Sequence, residues 1–238
     1  MTRLLAAVAF LSRFPVRRKF ESSDLGRAAV FFPLVGAAIG LLQWGAFRLL
    51  TPRFSSFAVA VALVALSAWI TRAIHLDGLA DFADGLGGGW TRENALRIMR
   101  DPSIGAFGAV TLVLTLAAKV AAIDSLKSEG ALVLAPALAR WASVPLGFLL
   151  PCAREGEGLG AAFSAGAGRM ELVGATAMAI AISLFFPPRL SVLLWGAVAA
   201  MTLVCGAIAR KRLGGVTGDV LGANVELSES LALLAASC

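Results

Sequence analysis

Six stretches of mostly apolar residues, at about 28–50, 57–74, 106–124, 130–150, 171–186 and 190–209, dominate the chain. A bilayer core takes about 20 such residues per helix, so each stretch is long enough, or nearly so, to cross. A seventh stretch, from about residue 226 onward, is shorter and is expected to be tilted, half-inserted or buried in the bundle. Backbone groups in hydrocarbon must be satisfied within their own segment, which makes helices the default. The alternating strands of a barrel are not seen. Composition agrees: 58% of residues are hydrophobic and 15% charged, whereas soluble domains carry about 25% charged residues. Disorder is excluded, because it needs low hydrophobicity and high charge. An ordinary soluble enzyme is excluded too, since one water-facing domain of 238 residues cannot hide so much apolar surface. The predicted fold is all-α: a polytopic membrane bundle of six to seven transmembrane helices, forming one domain over residues 1–238, with its active-site loops on the cytoplasmic face.

The formal net charge is +6. The basic residues sit between apolar runs, so they read as orientation signals in a lipid bilayer and not as a nucleic-acid surface. Arg13, Arg17, Arg18, Lys19 and Arg27 precede the first long stretch, and only Arg53 follows it. The connections at 75–105, 151–170 and 210–225 are long and basic, while those between are short and carry Lys127 or Arg189 alone. The positive-inside rule then puts the N-terminus in the cytoplasm. On this reading Lys119 snorkels at the outer end of its helix. The apolar run Leu4–Leu11 lacks a small-residue cleavage pattern and reads as a short interfacial helix. Cys152, Cys205 and Cys238 show no metal or disulfide spacing.

The first long loop opens HLDGLADFADGLGGGW. Asp77, Asp81 and Asp84 are spaced i, i+4, i+7, which places all three on one helix face. Carboxylates that close repel one another unless a cation neutralises them. Hard oxygen donors suit Mg²⁺ or Mn²⁺, and Mg²⁺ typically bridges carboxylates to substrate phosphates. His75 is the single histidine and offers a general base, a donor to phosphate or support for a metal ligand. Downstream, Arg97 and Arg100 suit bidentate phosphate contacts. Gly105 and Gly108 open the next helix, where backbone N–H groups can meet an anion or the glycines can serve close packing.

The later loops add weaker signals. Arg154 lies in PCAREGEGLGAAF, with Glu155 and Glu157. In RKRLGGVTGDVLGANVELSE, Thr217, Gly218 and the neighbouring glycines resemble a phosphate cradle, and Asp219 and Glu226 are further candidate ligands. Arg140 lies near the middle of an apolar stretch, where a charge is costly and needs an interior partner or a bound anion. An acidic metal cluster, arginines and glycine-rich turns together indicate a membrane-embedded transferase acting on a phosphate-bearing substrate. A transporter would concentrate its polar residues near the midplane.

The motifs FLSRFPV, HLDGLADFADGLGG, RIMRDPSIGAFG, PCAREGEGLGAAF and GGVTGDVLGANVELSE, in this order along the chain as in that family, resemble the cobalamin synthase family almost end to end. The resemblance implies a multi-pass enzyme of the bacterial or archaeal inner membrane that requires Mg²⁺. It implies transfer of the phosphocobinamide group of adenosylcobinamide-GDP to α-ribazole or its 5′-phosphate, releasing GMP. Carried over, Asp77, Asp81, Asp84, Asp219 and Glu226 are the expected metal ligands, and His75 and Asp84 the candidates to activate the ribazole hydroxyl. Arg97, Arg100, Arg140, Arg154, Thr217 and Gly218 are the expected substrate and phosphate contacts. A homo-oligomer and docking of other cobalamin-pathway enzymes stay open. The acidic motif also loosely resembles that of CDP-alcohol phosphotransferases, but Asp81 stands where that family has Arg, and its longer acidic continuation is missing.

Overall fold

The structure is a computed structural model that describes residues 2–17, 20–154, 163, 166 and 168–238. Glu155 and Glu157 lie outside the described residues. The chain runs through α1 (Thr2–Leu11), α2 (Ser22–Ala28), α3 (Phe32–Leu50), α4 (Ser56–Ile70), α5 (Ile74–Gly88) and α6 (Arg92–Ile98). It continues through α7 (Ala106–Asp124), α8 (Ala131–Leu149), α9 (Arg169–Ser183), α10 (Pro188–Leu213) and α11 (Gly218–Ser237). Among the described residues the one β-type feature is an isolated parallel bridge between Cys152 and Val216.

Among the described residues, four segments are long and apolar enough to cross a membrane: Asp24–Leu50, Ala106–Asp124, Ala131–Leu149 and Pro188–Leu213. A fifth arises if α4 and α5, bent by 90°, count as one broken span. The all-α membrane bundle therefore stands, with fewer qualifying spans than the six or seven expected. The stretch at 171–186 yields the 15-residue α9. The short seventh stretch becomes the back of α11, a 20-residue helix that starts at Gly218 and is buried along most of its length.

α8 and α11 form the centre. α8 packs against α3, α9, α10 and α11, and α11 packs against α5, α7, α8 and α10. The α3–α8 contact is close because Gly36 and Gly40 are one turn apart: a Cβ at Gly36 would stand 2.4 Å from the Pro136 carbonyl oxygen. Small residues at such spacing let helix backbones touch where lipid supplies no hydrophobic drive. α7 and α10 keep large apolar side chains exposed, among them Val110, Val113, Leu114, Val192 and Leu203. In water so extensive a patch would drive association; around a bundle it is the lipid-facing surface.

The helices end in two groups. The C-terminal ends of α4, α8 and α10 and the N-terminal ends of α7 and α11 converge on one face, where α5 and α6 also lie. The turns at 51–55, 125–130 and 184–187 lie at the other, where Trp44 and Arg48 of α3 bond to Glu129 at 2.8 and 3.2 Å.

Candidate active site

The site begins at the corner between α4 and α5. Arg72 and Ala73 both take the left-handed backbone region, each at φ 55°, which costs a residue with a side chain about 1 kcal/mol or more. Contacts with the N-terminal segment hold the corner. Arg13 N–H donates to the Ile70 carbonyl at 2.7 Å, and the Arg72 guanidinium donates to the Ala9 carbonyl at 3.1 Å. The Arg13 guanidinium lies 3.9 Å from the Trp69 ring centre. Beyond the corner α5 departs at 90° from α4, so its carboxylates lie off the line of that helix, where α5 packs against α7 and α11. Gly78 lets α11 come close: a Cβ there would stand 3.0 Å from both Cα and O of Asp219. That approach sets Asp219 beside Asp77 and Asp81.

A second connection brings Arg154. Ala153 N–H donates to the Val216 carbonyl at 2.8 Å, and Val216 N–H donates to the Pro151 carbonyl at 2.9 Å. The two loops are thus stitched together, and the Arg154 guanidinium reaches Asp219 Oδ2 at 3.2 Å. The Thr217 hydroxyl donates to that same oxygen at 3.2 Å and accepts the Val220 N–H, capping α11.

Where these elements meet lies a cavity of about 340 Å³. Its lining includes two chemically distinct groups. One is aromatic: Phe10 and Phe32 have ring centres 5.9 Å apart, and Phe32 and Phe163 have theirs 5.6 Å apart. The other is polar and includes His75, Asp77, Ser143, Cys152, Arg154, Thr217 and Asp219, with Gly218 beside them. His75 is 5% exposed. Its Nδ1 and the Arg154 Nε are buried without a hydrogen-bond partner among the described residues.

The acidic groups feel one another. Burial, and then the negative charges of Asp219 and Asp77, push the Asp81 carboxyl up to about 6. Burial raises Asp219 as well, against the opposing pull of Arg154. Carboxylates so placed are relieved by a proton or a cation. Among the described residues no three His, Cys, Asp or Glu side chains form a ready-made metal cage. Mg²⁺ does not require one: it is commonly held by one or two carboxylates, with substrate phosphates and water completing its shell. The hard oxygens of Asp77, Asp81 and Asp219 fit that mode of binding.

The remaining expected residues are placed elsewhere. Asp84, 8% exposed, accepts hydrogen bonds from Gly105 N–H at 2.7 Å and Gly108 N–H at 2.8 Å. The anion received by the α7 N-terminus is thus the chain's own carboxylate, and Asp84 is turned away from the ligand set. Glu226 bonds to Lys119 inside the bundle, with Glu229 accepting from the same ammonium at 3.0 Å. Arg140, fully buried, pairs with Glu229. Lys119 is therefore an interior cation and not a snorkelling one, and Arg140 is held by protein and not by a substrate anion. Arg97 and Arg100 are exposed on and just after α6 and do not line the cavity.

The aromatic wall has no counterpart among the sequence candidates. Phe10 and Phe32 belong to apolar runs and Phe163 to a glycine-rich loop, and no spacing links them. Arg92 also acts in an unforeseen way, donating to the Leu213 carbonyl at 2.8 Å and the Ala153 carbonyl at 3.1 Å, so that α6 braces both loops of the site.

The family model for cobalamin-5-phosphate synthase matches residues 3–237. A protein of Syntrophobacter fumaroxidans named adenosylcobinamide-GDP ribazoletransferase is 40% identical, covering 98% of this chain and 96% of its own length. Proteins of the same name from Prosthecochloris aestuarii and Sinorhizobium medicae are 39% identical, over 96% of this chain and 94% of the relative, and 41% identical, over 94% of this chain and 91% of the relative. No solved structure matches the chain. A match of this length, with relatives this similar end to end, establishes that the chain belongs to the cobalamin-5-phosphate synthase family.

Proposed function

We propose that this protein transfers the phosphocobinamide group of adenosylcobinamide-GDP to α-ribazole or its 5′-phosphate, giving adenosylcobalamin or its phosphate and GMP. The observation that carries the reading is the meeting of Asp77 and Asp81 on α5 with Asp219 on α11, at the mouth of a cavity that also holds His75 and Arg154. Phosphoryl transfer depends on positioning and charge neutralisation, and this arrangement supplies both. The name of the relatives, adenosylcobinamide-GDP ribazoletransferase, supports this choice of substrates.

Asp77, Asp81 and Asp219 are the proposed Mg²⁺ ligands. When bound, the ion supplies positive charge to the diphosphate and to the departing GMP phosphate. Arg154, anchored on Asp219 with its Nε unpartnered among the described residues, offers a second positive group to the phosphates. A ribose hydroxyl oxygen of the acceptor forms a bond to the phosphorus on the cobinamide side. The bond from that phosphorus to the oxygen bridging to GMP breaks, and GMP leaves with the electron pair. His75 is the proposed acceptor of the hydroxyl proton, since Nδ1 has no partner among the described residues and His75 lines the cavity; Asp84 is already bonded to two amides. The protein is proposed to act in the bacterial inner membrane, with this face in the cytoplasm.

Purified protein in liposomes, given adenosylcobinamide-GDP, α-ribazole and Mg²⁺, is expected to release GMP and form cobalamin in equal amounts, and EDTA is expected to stop both. Folded protein that releases no GMP with either acceptor overturns the proposal. Chelator-insensitive turnover overturns the metal assignment alone.

A further inference from the structure

We infer that the aromatic cavity is the seat of the acceptor's base, so that it takes α-ribazole and neither the corrin nor the guanine of the other substrate. This rests on the transferase reading above. Size removes the corrin. At about 340 Å³ the cavity sits at the low end of the roughly 300–1,000 Å³ typical of small-molecule pockets. A benzimidazole nucleoside is of that order, whereas a corrin with its amide side chains is far larger.

Chemistry then chooses between the two nucleosides. The edge of guanine carries several hydrogen-bond donors and acceptors. Phe10, Leu11, Phe32, Phe163 and Leu221 present none in return, and the donors of Ser143 and Cys152, which also line the cavity, are already given to the carbonyls of Arg140 and Arg154; polar groups buried without partners oppose binding. The methylated edge of dimethylbenzimidazole has none to lose, and its flat face suits offset or tilted packing on the rings already aligned there. The polar group of lining residues gives the orientation. His75 Nδ1 is buried and has no partner among the described residues, so a sugar hydroxyl seated there satisfies it while the base lies on Phe32. The same pose directs the sugar towards Asp77 and Arg154, where the diphosphate is placed. It also makes the cavity a specificity device: a benzimidazole nucleoside is favoured over a purine one.

Cys152 lines the cavity and provides a reporter, because Cys205 is buried and only Cys238 is exposed. In a Cys238→Ser protein in liposomes, α-ribazole at ten times its Kd is expected to slow N-ethylmaleimide alkylation of Cys152 by about tenfold. GMP and adenosylcobinamide are expected to leave the rate unchanged. In turnover, Phe32→Leu is expected to raise KM for α-ribazole by on the order of tenfold, the scale of a lost aromatic contact, with KM for adenosylcobinamide-GDP within about twofold. Should Phe32→Leu fail to fold, Phe10→Leu at the half-buried end of the ring series makes the same test. Protection by GMP or adenosylcobinamide but not by α-ribazole, or an unmoved α-ribazole KM in an active variant, overturns the assignment and leaves the transferase reading intact. Wild-type protein that releases no GMP overturns both.

Discussion

Asp77, Asp81 and Asp84 share one helix face, as their spacing dictates, yet the structure gives them two jobs. Asp77 and Asp81 face Asp219, whereas Asp84, further along α5, meets the first amides of α7. A Cβ at Gly105 would stand 2.4 Å from Asp84 Oδ1, and one at Gly108 would stand 2.3 Å from Oδ2, so both glycines are there to admit the carboxylate. The expected consequences differ by residue. Asp77→Ala and Asp81→Ala should abolish GMP release while leaving the melting temperature in detergent within a degree or two, because they remove charge from an open site. Asp84→Asn should lower stability by about 1–3 kcal/mol, since one amide loses its acceptor and the helix end its anion. Full activity in both alanine variants would sink their role as ligands; an unshifted melt for Asp84→Asn would sink its structural role. The spacing made the acidic face legible, but not which neighbour each carboxylate meets, because that depends on a helix arriving from elsewhere in the chain.

At the scale of elements, α7, α8 and α11 are joined by Lys119, Arg140, Glu226 and Glu229. Two cations and two carboxylates make a neutral buried set, which is how a bundle interior tolerates charge. Arg140→Leu leaves the set one charge out of balance and is expected to cost about 3–5 kcal/mol. Replacing Glu229 by Leu as well restores neutrality, leaving Lys119 with Glu226, and should recover most of that loss in a thermal melt. A double variant no more stable than the single one contradicts the pairing. The need of Arg140 for a partner was legible from its place in an apolar run. Its identity was not, although Glu226 and Glu229, three residues apart on one helix face, were a signal to follow. The 90° corner between α4 and α5 was equally hidden, because Arg72 and Ala73 adopt left-handed backbone without the glycine or proline that ordinarily marks a kink.

For the whole molecule, the apolar stretches announced a helical bundle, and their loop charges agree with the two ends the fold creates. The site end carries Arg92, Arg97, Arg100, Arg154, Arg210, Lys211 and Arg212, whereas the opposite end carries Arg48, Arg53, Lys127 and Arg189. Adenosylcobinamide-GDP and GMP are anionic and do not cross a bilayer unaided, so an enzyme without a transport step needs its diphosphate site on the side where nucleotides are made. The positive-inside rule and the placement of the site thus point to the same orientation by independent routes. Single cysteines at Arg97, on α6, and at Arg53, in the turn after α3, report it in a background lacking Cys152 and Cys238; both positions are exposed. Cys at 97 is expected to react with a membrane-impermeant maleimide only in inside-out vesicles, and Cys at 53 only in right-side-out vesicles. The reverse pattern would put the diphosphate site outside the cell and require nucleotide export, and labelling of both positions from one side would contradict the two-ended arrangement of the helices themselves.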